Sequence, residues 1–384
     1  MPTPLIAAPL YATAGAVPVI YLLRAVGSHL IVWHHLAFYG PVSDTAYTVA
    51  PAMFDWLVDY ARMAVQVFFV VGGFLTARKL SRPQQWTARL LSGEIVARYR
   101  RIGIPYLAAL VMAVVANEVA RRAMDHDSIS AAPTVSQLAA HAFFLQDVFD
   151  YEPLTAGIWY LAIDFQLGLL VLAILAGCQR LRRSPPADPE ADFRAAQWIF
   201  WPLAAASLWW LNRDPNFDFC APYYFGSYFG GMVVAWTLSG RLPQAAGWAY
   251  AALVVTALAI DWRPRLAVAL ATGLAIFLAE ATRRKRGAWL SWAGSFTNYW
   301  GERSYSLFLV HFPVCLVVTA LIAERVDDRP HAALVVLILE YALSLVAAIA
   351  FYQLIERRIP RSRAQRPEPA ASGRAALPNT GQVA

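Results

Sequence analysis

Apolar runs of about twenty residues recur along this chain, and short polar segments separate them. A run of that length is what an α-helix needs to cross the hydrocarbon core of a bilayer. The pattern therefore predicts an all-α, polytopic membrane helix bundle with about ten transmembrane helices. The predicted spans are residues 17–38, 58–77, 102–120, 157–178, 196–212, 223–239, 245–260, 265–280, 304–323 and 332–355.

The spans form one predicted transmembrane domain, residues 1–360, and a disordered cytoplasmic tail follows at 361–384. The tail is rich in Pro, Ala and Arg and has no periodic apolar pattern, so it is not expected to bury a core. Three scattered cysteines without CxxC spacing indicate neither a disulfide framework nor a zinc site, and no metal site is predicted.

Composition and charge fix the class of protein and its predicted orientation. Hydrophobic residues make up 59% of the chain and charged residues 15%, well below the roughly one quarter that soluble domains carry. Alternate loops hold 23 and 7 of the lysines and arginines. Because these residues concentrate in cytoplasmic loops, both termini are predicted to be cytoplasmic. The net charge of +7 then reflects topology and does not indicate nucleic-acid binding.

The first span carries one arginine and three histidines. Arg24 and His35 are eleven residues apart, which on an α-helix places them about 20° from alignment and roughly 16 Å apart. His34 and His29 point about 80° and 140° away from Arg24, so His35 is the histidine on its face. An ionisable pair inside a membrane helix predicts a functional site. Alternatively, Arg24 extends to the interface and His35 hydrogen-bonds a neighbouring helix.

The segment that follows the second span is strongly basic, and it includes Arg78, Arg98 and Arg101. Clustered arginines can bind phosphate groups bidentately. Alternatively, they only set the topology and contact anionic lipid headgroups. Just before them, the vicinal pair Gly72 and Gly73 allows close contact between helices.

Further polar side chains occur within the fourth and ninth spans. Asp164 needs a partner inside the membrane, and it could orient a histidine, bind a sugar hydroxyl or pair with an arginine. On the ninth span, Ser304 and Tyr305 precede His311 by about 10 Å of helical rise. His311 could also simply hydrogen-bond across helices.

These segments, in this order, resemble those of the acyltransferase 3 family, which are bacterial integral-membrane O-acyltransferases. Arg24 and His35 fit its pattern of a basic residue, ten residues and a histidine. The other matching segments are Phe68 to Leu75, Arg98 and Arg101 before Ile104-Pro105, Trp159 to Gln166, Ser304 to His311, and Ile355-Glu356. The chain departs from the family pattern where Gly72 and Tyr160 replace serines and Asp164 replaces a glutamate.

The resemblance implies transfer of an acyl group, acetyl being the family's commonest, from cytoplasmic acyl-CoA to a hydroxyl group of a glycan or glycolipid. Acyl-CoA is then a co-substrate, no cofactor is bound permanently, and the expected location is the bacterial inner membrane. His35 acts as general base or acyl carrier, with Asp164 as second catalytic residue. The expected donor-binding residues are Arg24, Arg78, Arg98 and Arg101, and the supporting residues are Ser304, Tyr305, His311 and Gln166.

Two other functions fit the same residues. A proton-coupled transporter would use the intramembrane arginine, histidine and aspartate as a relay. A component of glycan export would need no covalent chemistry, and its activity would survive the loss of His35. Under every one of these hypotheses the membrane lipids are partners and nucleic acid is not.

Overall fold

The structure is a computed structural model, and it describes residues 18–80, 84–182, 188–282 and 291–360. Over these residues the chain forms α-helices and short 3-10 turns, and no strand occurs among them. The predicted tail at 361–384 and the first seventeen residues of the predicted domain lie outside the described residues.

The α-helices of the described residues are numbered here in chain order. They are α1 Pro18–Phe38, α2 Pro41–Tyr47, α3 Pro51–Asp59, α4 Ala64–Lys79, α5 Ala88–Ala123, α6 Val135–Ala142, α7 Ile158–Arg182, α8 Pro189–Trp209, α9 Ala221–Leu238, α10 Gln244–Ile260, α11 Pro264–Thr282, α12 Ser291–Val326 and α13 Pro330–Leu354. Short 3-10 turns are Ala61–Met63, Leu211–Arg213, Pro215–Phe217 and Glu356–Arg358.

Each predicted span coincides with a long helix, and six helical segments are long and apolar enough to cross a membrane. These six are Pro51–Lys79, Ala88–Ala123, Ile158–Arg182, Pro264–Thr282, Gly294–Val326 and Pro330–Arg358. The all-helical membrane bundle is thus confirmed, whereas the count of ten spans and the position of the termini stay predictions. One arginine and three histidines lower the hydropathy of α1, and α10 has only 17 residues.

Local sequence explains where several helices begin. Thr87 accepts a hydrogen bond from the Leu90 amide at the start of α5, and Asp188 caps α8 in the same way. Thr134 and Gln137 form a reciprocal capping box at the start of α6. Such side chains satisfy amide groups that the first helical turn leaves without a partner.

Two helix pairings, α1 with α12 and α4 with α9, form the part of the core around the candidate site. Helix α1 packs along α12, which also packs against α13 and α5. Helix α4 crosses α9 at very close range: a Cβ on Gly73 would lie 1.8 Å from the Tyr228 carbonyl oxygen, and one on Gly231 would lie 1.9 Å from that of Val70. Only glycine permits this approach, so the close helix contact predicted from the vicinal glycines is present.

Candidate active site

A pair of histidines joins α1 to α12. His35 Nδ1 lies 2.7 Å from His311 Nε2, and the two ring planes are inclined by only 8°. His311 is fully buried, whereas His35 keeps 8% of its surface exposed. The residues are 276 positions apart in the sequence, so the fold alone brings them together. Of the two, His35 is the ring that a substrate can reach.

The hydrogen bonds assign the protons of the histidine pair. His311 Nδ1 lies 3.2 Å from the Leu307 carbonyl oxygen, which can only accept, so this nitrogen carries the proton. In the neutral ring, His311 Nε2 is then an acceptor, and His35 Nδ1 donates to it. His35 Nε2 is left with its lone pair, and it has no hydrogen-bond partner among the described residues. His35 Nε2 is therefore the atom of this pair that can accept a proton.

The other two histidines of α1 contact different helices. His34 Nδ1 lies 3.1 Å from the Leu57 carbonyl oxygen of α3, and His29 Nδ1 lies 2.7 Å from the Tyr341 hydroxyl of α13. The helical spacing that singled out His35 therefore agrees with the contacts.

The backbone of Gly157, the residue before α7, packs against the His35 ring. Gly157 has φ +78°, and a Cβ on it would lie 3.0 Å from His35 Cε1 and 3.1 Å from Phe308 Cζ. Position 157 therefore requires positive φ and leaves no room for a side chain. Glycine meets both requirements, because it adopts positive φ at little cost and has no side chain. Neither the composition nor the spacing of the sequence indicated this role for Gly157.

Arg24 lies at the opposite end of α1, and its partner also comes from α12. Its Nε donates to Ser304 Oγ at 3.1 Å, and Ser304 in turn donates to the Gly301 carbonyl oxygen at 3.0 Å. Helices α1 and α12 therefore run in the same direction, with Arg24 beside Ser304 and His35 beside His311. The segment from Arg24 to His35 on α1 thus packs along the segment from Ser304 to His311 on α12. We call this line of contact the α1–α12 seam.

Asp164 pairs with Arg98 and makes no hydrogen bond to a histidine within the part of the chain that the structure describes. Arg98 Nη2 lies 2.8 Å from Asp164 Oδ2 and 2.5 Å from the Asp164 carbonyl oxygen. Gly168 makes room for the guanidinium, because a Cβ there would lie 2.2 Å from Arg98 Cζ. Of the three roles open to Asp164, its contacts show the pairing with an arginine. His311 occupies the position beside His35 that a histidine-orienting Asp164 would take.

The remaining predicted site residues lie at other points of the bundle. The Tyr305 hydroxyl donates to the Ile102 carbonyl oxygen at 2.7 Å and so ties α12 to α5. Gln166 donates to the Phe144 carbonyl oxygen at 2.9 Å, which fixes the segment before α7 and leaves Gln166 away from the histidine pair. Arg78 lies in the last turn of α4. The charge of Arg101 acts on the carboxyl groups of Asp164 and Glu356.

Two cavities adjoin these groups. The first has a volume of about 20 Å³ and is lined by the histidine pair together with Tyr39, Thr319 and Glu340. The second has a volume of about 40 Å³ and is lined by Arg98, Gly168, Thr76 and the ion-paired Lys79 and Glu94.

A family model described as an acyltransferase domain, that of the acyltransferase 3 family, matches residues 18–357. The chain belongs to the acyltransferase 3 family. The match begins with α1 and ends in the 3-10 turn after α13, so both ends of the α1–α12 seam lie within it. Comparisons with curated proteins and with solved structures gave no match.

In this acyltransferase 3 protein, two of the departures from the family pattern touch each other. A Cβ on Gly72 would lie 2.7 Å from Asp164 Oδ1. The carboxyl group of Asp164 thus occupies the space into which a side chain at position 72 would extend. The glycine and the aspartate fit each other where the family usually has a serine and a glutamate.

Proposed function

We propose that this acyltransferase 3 protein is a membrane-embedded O-acyltransferase that moves an acyl group from acyl-CoA to a hydroxyl group of a glycan or glycolipid. The family match and the six apolar helices support a membrane acyltransferase. The proposal extends this to acetyl-CoA as the donor, to an acceptor on the outer side, and to the bacterial inner membrane as the location.

The observation that carries the proposal is the 2.7 Å contact between His35 Nδ1 and His311 Nε2, which in the tautomer assigned above leaves His35 Nε2 with its lone pair. As general base, Nε2 removes the proton of the acceptor hydroxyl while its oxygen attacks the acyl carbonyl carbon. The carbon–sulfur bond breaks, and the proton passes from His35 to the departing CoA thiolate. His311 stabilises the intermediate imidazolium because its Nε2 accepts a hydrogen bond from the Nδ1–H of His35.

The donor approaches from the Arg24 end in this proposal. Among the described residues Arg24 is hydrogen-bonded through Nε alone, to Ser304, so its two terminal nitrogens can bind a phosphate group bidentately. Arg78, Arg98 and Arg101 add positive charge at the same end, with Asp164 holding Arg98 in place. The roughly 16 Å of helix between Arg24 and His35 is spanned by the extended arm of the coenzyme, which brings the thioester to the imidazole.

The test is transfer of radiolabel from acetyl-CoA, and in parallel from a longer acyl-CoA, to extractable glycan or lipid in membranes with equal amounts of each variant. Wild type and His34→Ala are expected to label the acceptor, and His35→Ala to fall by about 10²- to 10⁴-fold. His34 is the matched control because it is the neighbouring histidine and lies outside the pair.

Equal labelling by wild type and His35→Ala would refute the catalytic assignment, and absence of wild-type labelling with either donor would refute the proposed donor. Label that stays on the purified protein when no acceptor is added would assign His35 the role of acyl carrier instead.

A further inference from the structure

The cavity beside the histidine pair is too small for a substrate. Its volume is about 20 Å³, and a cavity of this volume has room for about one water molecule. His35, which lines it, keeps only 8% of its surface exposed. Reaction of His35 with a larger molecule from this side therefore requires part of the cavity wall to move.

One part of this wall comes from a connecting segment. Most of the lining residues lie on or next to α1, α12 and α13, and these helices pack along one another. Ser128 is different, because it lies in the segment 124–129, which follows α5 on the way to α6. Connecting segments open locally more easily than packed helices do. The 124–129 segment is therefore the part of the wall that can move.

The 124–129 segment is fixed at both of its ends. Helix α5 ends at Ala123, directly before it. Ser130, directly after it, is buried: its amide donates to Asn117 Oδ1 at 2.8 Å, and its hydroxyl donates to the Pro153 carbonyl oxygen at 3.0 Å. Six residues thus lie between two fixed points, and backbone rotation at such points can serve as a hinge.

The middle of the segment is joined to α2 through His126. The Ser128 amide donates to His126 Nδ1 at 3.1 Å, so in the neutral ring Nδ1 carries the lone pair and Nε2 the proton. Nε2 lies 3.4 Å from Asp44 Oδ2, to which it donates. Asp44 belongs to α2, which packs against α13. One imidazole ring therefore connects the cavity-lining Ser128 to a helix of the bundle.

The contact between His126 and Asp44 can open readily. The Asp44 side chain is 73% exposed, and exposed pairs of this kind contribute little to stability because water competes for both groups. The apolar side chains of Met124 and Ile129 pack against the small cluster that contains Phe312. The segment is thus an ordered cover with a weak fastening.

We propose that residues 124–129 form a lid over the histidine cavity, fastened to α2 by the contact between His126 and Asp44, and that release of this contact opens the cavity to molecules larger than water. Entry of the acceptor past this lid rests on the proposed function. The lid is therefore tested by access to the cavity, without acyl transfer, and the route of the acceptor is tested separately.

Cys315 reports access, because it lines the same cavity. In full-length protein with Cys178→Ala and Cys220→Ala it is the remaining thiol. Its rate of modification is measured in detergent with a methanethiosulfonate reagent that carries a trimethylammonium group, which is larger than the cavity and avoids apolar routes. Asp44→Ala removes the acceptor of the His126 proton and is expected to raise this rate at least threefold. Asp44→Asn should raise it less, because an amide oxygen still accepts a hydrogen bond.

Asp55→Ala is the matched control for Asp44→Ala. Asp55 lies on α3 and accepts a hydrogen bond from Tyr47 at the end of α2. Its removal changes the charge near α2 by the same amount and leaves the contact between His126 and Asp44 in place. The rate of Cys315 modification in Asp55→Ala is expected to equal that of the wild type.

A covalent lock tests the route of the acceptor. In protein whose native cysteines are replaced by alanine, His126→Cys and Asp44→Cys are joined by a short bifunctional maleimide. Acyl transfer is expected to fall at least tenfold on joining, whereas each single-cysteine variant treated with the same reagent should keep its untreated rate.

Equal rates of Cys315 modification in wild type, Asp44→Ala and Asp55→Ala would overturn the lid. Unchanged acyl transfer in the joined protein would refute entry of the acceptor past the lid and leave the test of His35 standing. Faster Cys315 modification in Asp44→Ala, with no acyl transfer by any of these proteins, would uphold the lid and refute the proposed reaction.

Discussion

Gly157 lies against the His35 ring through its backbone alone. Replacing it with alanine would add a Cβ 3.0 Å from His35 Cε1 at φ +78°, which costs about 1–2 kcal/mol in conformation and forces the ring to shift by a few tenths of an ångström. A displacement of the order of 1 Å at a reacting group can cost about 10²-fold in rate. We therefore expect Gly157→Ala to lower acyl transfer at least tenfold in protein that still folds.

Gly177→Ala, on the helix α7 that follows Gly157, is the control for Gly157→Ala, because a Cβ there meets nothing within 4 Å. Label transfer and the thermal midpoint in detergent are measured for both variants. Wild-type activity in Gly157→Ala would show that acyl transfer tolerates a shift of the His35 ring. The contact between Gly157 and His35 would then have no catalytic importance.

At the residue scale, the sequence predicts which side chains share a face of the same helix. The alignment of Arg24 with His35 follows from helical spacing within one element, and the contacts of His29 and His34 with other helices agree with it. The partners could not be derived in the same way. His311 and Ser304 come from a helix whose packing against α1 is a property of the whole fold, and Asp164 has three chemically reasonable partners until Arg98 is placed beside it.

At the scale of elements, the crossing of α4 and α9 limits side-chain size. A Cβ on Gly231 would lie 1.9 Å from the Val70 carbonyl oxygen and 2.7 Å from the Phe74 amide nitrogen. Because backbone atoms cannot move aside as a side chain can, Gly231→Ala is expected to destabilise the protein by at least about 1–3 kcal/mol. The thermal midpoint in detergent should fall clearly, whereas Gly247→Ala on α10, which meets nothing within 4 Å, should leave it unchanged.

The segment between α5 and α7 should loosen in acid. His141 is fully buried, with Nδ1 3.0 Å from the Tyr106 hydroxyl, and burial lowers its pKa to about 4 from 6.5. The folded segment thus favours the neutral ring. Its stabilisation is complete above pH 6.5 and is lost as the pH falls from about 6.5 towards 4.

Hydrogen exchange of residues 124–157 at pH 7 and pH 5 measures this effect, with His141→Gln as the variant that cannot titrate. Burial raises the pKa of Asp147 to about 6, which opposes the effect of His141, but Asp147 is present in both proteins. Wild type should therefore lose more protection on acidification than His141→Gln. Equal losses would contradict the assignment to His141.

The long apolar elements were predictable and the short ones were not. A run of about twenty apolar residues is a strong signal by itself, and every predicted span coincides with a helix. Helices α2, α3 and α6 have 7, 9 and 8 residues, too few to give a periodic apolar pattern distinct from a loop. Only α6 has a side-chain cap, whereas α2 and α3 begin with a proline and have none. Their helical state depends on packing against neighbouring helices, which the local sequence does not show.

Across the whole molecule, the α1–α12 seam connects two chemically different ends. Arginines and the cavity beside Arg98 lie at one end, and the histidine pair with its own cavity lies at the other. In the proposed reaction, donor and acceptor would enter at these separate ends and meet at His35. This arrangement agrees with the predicted bias of positive charge towards the cytoplasmic side, from which acyl-CoA would come.

The central claim is that His35 acts as the base and that His311 acts only by positioning it. A double-mutant cycle of acyl-transfer rates tests this, with His35→Ala, His311→Leu and the double variant at equal protein levels and matched thermal midpoints. His311→Gln is included because its amide oxygen can still accept the Nδ1 proton of His35.

The account predicts that His311→Leu lowers the rate, that His311→Gln recovers part of it, and that the double variant is no slower than His35→Ala, since His311 has no effect without the ring it holds. Losses that multiply in the double variant, or a wild-type rate in His311→Leu, would contradict it.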